Sequence, residues 1–258
     1  MPVEKLAGAP AFRQITFGTI GRALRLGLAD MLSAKGYGLL FSIPWVLGGF
    51  LFAYVTWITG ESYWLVFAAV GFPLLGPFAA VGLYEVSRRL ENGLPMARRD
   101  IFGVVSKQRS GQLPWLSAVI IMIVMFWFFL GHMIFALFLG LSAMTNITSS
   151  LMVFMTREGV SMLAFGSTIG AAFAFIVFAI SVFGIPMLLD RDVDFVTAMI
   201  TSFRTVLDNP ITSLAWAILI VVLLAVAMIP AFLGMLIVMP LLGHASWHLY
   251  DQSIIKDP

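Results

Sequence analysis

The sequence predicts an all-α, polytopic membrane helix bundle: six transmembrane helices in three repeats of an amphipathic helix followed by a membrane hairpin. Three observations predict it. Sixty per cent of the 258 residues are hydrophobic and 11% are charged, whereas soluble domains carry roughly 25% charged residues. Several stretches longer than about 18 residues hold no charge, the mark of a spanning helix. Fourteen of the fifteen Lys and Arg residues fall in segments that even-numbered threading puts on one side, with only Arg157 on the other. Basic residues mark cytoplasmic loops, so both termini are expected in the cytoplasm.

The elements follow in order. Residues 1–36 carry five basic residues. Their apolar positions are interrupted throughout, so no secretory signal is read and the N-terminus is expected to persist. Phe17, Ile20, Leu24, Leu28 and Met31 step by three and four, which predicts an amphipathic cytoplasmic helix. Residues 37–84 form hairpin one, two runs of about 22 residues broken at Gly60-Glu61-Ser62, with Trp57 and Trp64 at the turn in an aromatic belt. Residues 85–113 are a second basic cytoplasmic segment, in which Ile101, Val104 and Val105 follow a turn at Glu91-Asn92-Gly93. Residues 114–189 are hairpin two, with a kink expected near Gly184 and Pro186. A glycosylation-like sequon at 146–148 in its connector is given no weight. Residues 190–212 repeat the amphipathic pattern through Val193, Val196, Ile200, Phe203 and Leu207, and Pro210 ends it. Residues 213–250 are too long for one span and are read as hairpin three, followed by the tail 251–258.

A repeated phrase supports the triplication. PLLG occurs at 73–76 and 240–243, and PMLLD at 186–190. The two PLLG copies are followed by Leu-Tyr-acid, at Leu83-Tyr84-Glu85 and Leu249-Tyr250-Asp251. Pro73, Tyr84, Pro186, Pro240 and Tyr250 are therefore read as membrane exits, with Tyr at the interface. GLYEVSRRLENG at 82–93, the DRDVD-to-DNP stretch within 178–210 and MPLLGHASWHLY at 239–250 resemble a bacterial integral-membrane family defined only as domain of unknown function 2189. The resemblance runs from about Gly21 to Tyr250. It implies a multi-span inner-membrane protein and supplies no catalytic residues. Some members carry the label cytochrome c oxidase.

Residue chemistry limits the function. No cysteine is present, which excludes disulfides, iron–sulfur clusters and thiolate catalysis. Three histidines are too few for the ligands of a haem–copper oxidase core. His244 and His248, at i and i+4, share one helix face and could be two metal ligands, for copper or haem. The competing reading is polar side chains hydrogen-bonded to neighbouring helices, which is also the reading of His132. Asp190, Asp192 and Asp194 lack the glycine and glutamate of a calcium loop and are read as helix caps. Gly166, Gly170 and Ala174 step by four and predict a helix-packing surface. No ionisable group falls clearly inside a span, and no hydrolase motif or phosphate loop is found. The expectation is a non-enzymatic scaffold or accessory protein with no cofactor, binding lipid or other inner-membrane partners, respiratory proteins among them, and no nucleic acid. The alternatives are a metal- or haem-handling oxidase accessory and a transporter of an uncharged solute.

Overall fold

The computed structural model describes residues 6–60, 65–140 and 151–256, with the backbone alone at 65–75 and 151. Glu61, Trp64, the sequon at 146–148 and the Pro73 side chain lie outside this description. Ten α-helices carry the described chain: α1 (Phe17–Ser33), α2 (Lys35–Thr59), α3 (Leu65–Glu91), α4 (Arg98–Gln108), α5 (Leu113–Leu139), α6 (Arg157–Ser181), α7 (Gly184–Asp190), α8 (Phe195–Asp208), α9 (Pro210–Met228) and α10 (Met235–Ser253). Four runs are long and apolar enough to cross a membrane: α2, α5, Arg157–Asp190 and α9.

The helix starts and stops have local causes. Thr16 caps α1 through a reciprocal box with Thr19. Gly60 closes α2 at φ +69, a conformation that glycine adopts without steric cost. Pro114 and Pro210 stand in the first turns of α5 and α9, where no amide donor is needed. Asp194 caps α8 by accepting from the Thr197 amide at 2.9 Å.

The expected kink before Pro186 is a full break between α6 and α7, and it is chemically sealed. Ser202 of α8 donates to Ala179 O at 2.6 Å and accepts from Phe183 N at 3.1 Å. One buried hydroxyl thus serves both an acceptor and a donor freed by the interruption.

Three helix pairs run antiparallel. Phe41 of α2 lies against Gly82 of α3, and Trp45 faces Gly76. Phe126 and Phe138 of α5 meet Phe173 and Phe165 of α6. α9 and α10 join through residues 229–234, where Ala231 and Phe232 take φ of 49° and 64°. That turn is strained for residues with a Cβ. Phe232 docks it on α2, 3.2 Å from where a Gly49 Cβ would stand.

Beyond the apolar bundle, α1, α4, α8 and the second half of α10 form a more polar layer. α1 turns small residues toward α10: Ala23 and Gly27 are buried. A Cβ on Gly27 would stand 2.6 Å from Ala245 N. The large apolar residues of α1 and α8 divide: Ile20, Leu24, Met199, Phe203 and Val206 pack on the core, and others point outward. Phe17, Leu28, Leu32, Val196, Ile200 and Leu207 are all exposed. The periodic stripes read from sequence are therefore split: Phe17, Leu28, Val196, Ile200 and Leu207 lie on outer faces, while Ile20, Leu24, Val193 and Phe203 pack on the core beside the small residues Ala23, Gly27, Ala198 and Ser202.

The two chain ends meet in this layer. Leu6–Ala7 pairs in parallel with Arg191–Asp192. Phe12 bridges Ile254, and Arg13 N donates to Ser253 O at 2.9 Å. Asn209 accepts from Ile15 N at 2.7 Å, which ties the α8–α9 corner to the same segment.

Candidate functional site

The densest polar chemistry lies where the end of α3, α1 and the second half of α10 meet. α10 continues past the apolar bundle as it packs on α1, so His244 and His248 stand among polar side chains outside the four spans. His248 Nε2 donates to Asp30 Oδ2 at 2.7 Å. Its Nδ1 lies 2.9 Å from Glu91 Oε1, off the line a ring N–H requires. Glu91 accepts from Trp247 Nε1 at 2.8 Å. One turn back along α10, His244 Nδ1 pairs with Ser87 Oγ at 2.8 Å, and its Nε2 has no partner among the described residues.

The two imidazoles are driven in opposite directions. Burial disfavours the charged form of His248, but Asp30 and Glu91 outweigh it and push its pKa up to about 9. Burial pushes His244 down to about 4, so it is neutral at neutral pH. Glu91 is disfavoured as a carboxylate by burial, yet His248 and Trp247 hold it below the ordinary carboxylate value.

A second cluster sits one turn earlier on α3. Glu85 is fully buried and pairs with Arg88 at 2.6 Å and Arg89 at 2.7 Å. Arg89 also donates to Pro95 O at 2.7 Å and reaches Asp100 at 3.3 Å. It thereby fastens the loop into α4. A third cluster joins Tyr250, which donates to Asp190 at 2.9 Å, and Arg191, which pairs with the same carboxylate oxygen at 3.2 Å.

These contacts correct several sequence readings. His244 and His248 do not present a ligand set: the two nitrogens of His248 face carboxylates on opposite sides of the ring. Among the described residues, no group of three or more His, Asp or Glu side chains is arranged to hold a metal ion. His132 pairs with Phe128 O of its own helix at 2.8 Å rather than across helices.

Tyr84 and Tyr250 are buried in the protein, with Tyr84 beside Trp247. Pro240 lies inside α10 against Gly38, and Pro186 lies buried within α7. Of the three aspartates, Asp194 caps a helix. Asp190 ends α7 and Asp192 sits in the short strand pair.

Gly166 and Gly170 do face α5, near Ile134 and Trp127. Ala174 lines an apolar groove of about 710 Å³ shared with Trp127, Ile218 and Val221. Sequence reasoning missed Asp30, Ser87, Glu91 and Trp247. Only the Glu85 pairing had a local signal, the i,i+3 and i,i+4 spacing to Arg88 and Arg89.

An almost wholly helical chain with four apolar spans and a polar layer at one end is a polytopic α-helical membrane protein. Its residues 65–190 match the family described as Predicted integral membrane protein (DUF2189). GLYEVSRRLENG lies inside that stretch, so the resemblance read from it is borne out. MPLLGHASWHLY lies beyond it. Neither curated proteins nor solved structures give a match.

Proposed function

We propose that the protein is a non-enzymatic scaffold of the bacterial inner membrane, with six crossings in three amphipathic-helix-plus-hairpin units. α3 and α10 supply the return legs, and the second half of α10 projects into the cytoplasmic layer. In this reading α1, α4 and α8 rest on the cytoplasmic leaflet, and the protein acts by holding lipid or a membrane partner there.

One observation carries the reading: α1 and α8 expose Phe17, Leu28, Leu32, Val196, Ile200 and Leu207 while Arg22, Arg25 and Arg204 lie on the same two helices. Such helices gain by burying apolar area at the headgroup boundary and by attraction to anionic lipid. The paired state of the buried charges adds support, since Glu85, Arg89, Arg191 and His248 all have partners within the protein.

Cross-linking in intact membranes, followed by gentle solubilisation, tests this. The expected result is lipid or a membrane protein captured on α1 or α8, and loss of capture in Ile200→Lys. Capture unchanged by Ile200→Lys and by Leu28→Lys would refute it.

A further inference from the structure

A hollow of about 580 Å³ lies between the α1–α2 corner and α4, with Lys35, Tyr37, Leu40, Arg98 and Phe102 in its wall. We propose that it binds the phosphate headgroup of an anionic phospholipid, with Lys35 and Arg98 as the cationic ligands. This deepens the scaffold reading and rests on its placement of the start of α2 at the leaflet surface.

Both cations are exposed, and neither has a carboxylate within ion-pair reach among the described residues. Arg88, Arg89 and Arg191 are all paired. The nearest acid on α4, Asp100, is already held by Arg89. Lys35 and Arg98 therefore bring uncompensated positive charge to one concave site. The N-caps of α2 and α4 are Ala34 and Ala97, neither of which caps with its side chain. The positive end of the α4 dipole adds to the same field, whereas that of α2 meets the negative end of α1 at Ala34.

The site is fixed rather than fortuitous. Tyr37 donates to Met96 O at 2.7 Å, and Arg89 donates to Pro95 O at 2.7 Å. These two bonds hold the approach to α4 against the start of α2.

A lipid suits the hollow better than a soluble anion because its apolar wall continues along the span. Leu40, Ile43 and Leu47 follow at helical spacing on α2, all exposed. Phe102 is also exposed beside the hollow. A phosphate seated on the two cations leaves its acyl chains running down this stripe.

Native mass spectrometry of the purified full chain, with added phosphatidylglycerol, phosphatidylcholine or inorganic phosphate, tests the proposal. Phosphatidylglycerol adducts are expected on the wild-type protein at least about tenfold over phosphatidylcholine. A Lys35→Gln/Arg98→Gln double variant should lose them by a similar factor, while keeping the wild-type thermal midpoint. Lys107→Gln/Arg109→Gln, which changes basic residues outside the hollow, should keep them.

Wild-type adducts unchanged in the first double variant would overturn the site. Equal loss in both double variants would also overturn it, yet would leave the broader membrane-surface reading standing. Complete displacement by millimolar inorganic phosphate would reassign the hollow to a soluble anion and overturn the lipid proposal.

Discussion

His244 and His248 sit one turn apart, yet their neighbours give them opposite pH behaviour. The folded pKa of His248, about 9, lies above its ordinary value of 6.5. Its stabilising contribution is complete below about 6.5 and is lost as pH rises through 9. The folded pKa of His244, about 4, lies below 6.5. Its unfolded form takes up a proton first, so stability is lost as pH falls from about 6.5 toward 4. Thermal unfolding of the detergent-solubilised protein should therefore peak near pH 6.5, each flank falling by at most about 3 kcal/mol. His248→Gln should flatten the alkaline flank and His244→Gln the acid one. A profile in which either variant keeps the wild-type slope on its own flank would refute this. At the same scale, Ser202→Ala removes the hydroxyl that closes the α6–α7 break. It should cost about 1–3 kcal/mol, read as a lowered thermal midpoint.

At the scale of the element, contact between helices is set by glycine and alanine more than by the large apolar residues. Gly27 brings α1 against the backbone of α10 at Ala245. Gly27→Val adds carbon where backbone must move, and about 1–3 kcal/mol of destabilisation is expected. The fastest readout is limited proteolysis within residues 9–34, which should accelerate. A variant as resistant as wild type would show that α1 does not dock there. This packing also explains what the sequence could and could not tell. The stripe Val196, Ile200, Leu207 was visible as periodicity, but periodicity does not say whether a face meets protein or lipid. Asp194 was legible as a cap because its signal is local. The break at 182–183 was legible from Gly184 and Pro186, whereas its plug, Ser202, comes from another helix. His248 was visible as half of an i,i+4 pair. Its carboxylates, Asp30 and Glu91, lie far away in sequence, and no spacing rule connects them. The repeated PLLG was visible as a repeat, whereas the packing of Pro240 on Gly38 of α2 joins residues far apart in sequence.

At the scale of the molecule, the threading decides how all of this faces the cell. Residues 11–13 pair with residues 253–255, and Leu6–Ala7 pairs with Arg191–Asp192, so the two ends share one layer whatever that layer faces. In that layer lie Asp30, Glu91 and His248, joined in one cluster, while Trp57 and Ile229 are exposed at the other ends of α2 and α9. The helix pairs therefore predict two classes of position. The absence of cysteine lets single cysteines report without background. Asn92→Cys, Ser110→Cys and Lys256→Cys should react with an impermeant maleimide only after the membrane is opened from the cytoplasmic side. Trp57→Cys and Ile229→Cys should react in intact spheroplasts. The basic residues crowd the first class, so the same labelling tests the charge rule and the hairpins together. If Ile229→Cys labelled with the class of Lys256→Cys, the third hairpin would not cross. The polar layer would then have to be rebuilt around a five-crossing chain, which the pairing of Arg13 with Ser253 does not allow without separating the two ends.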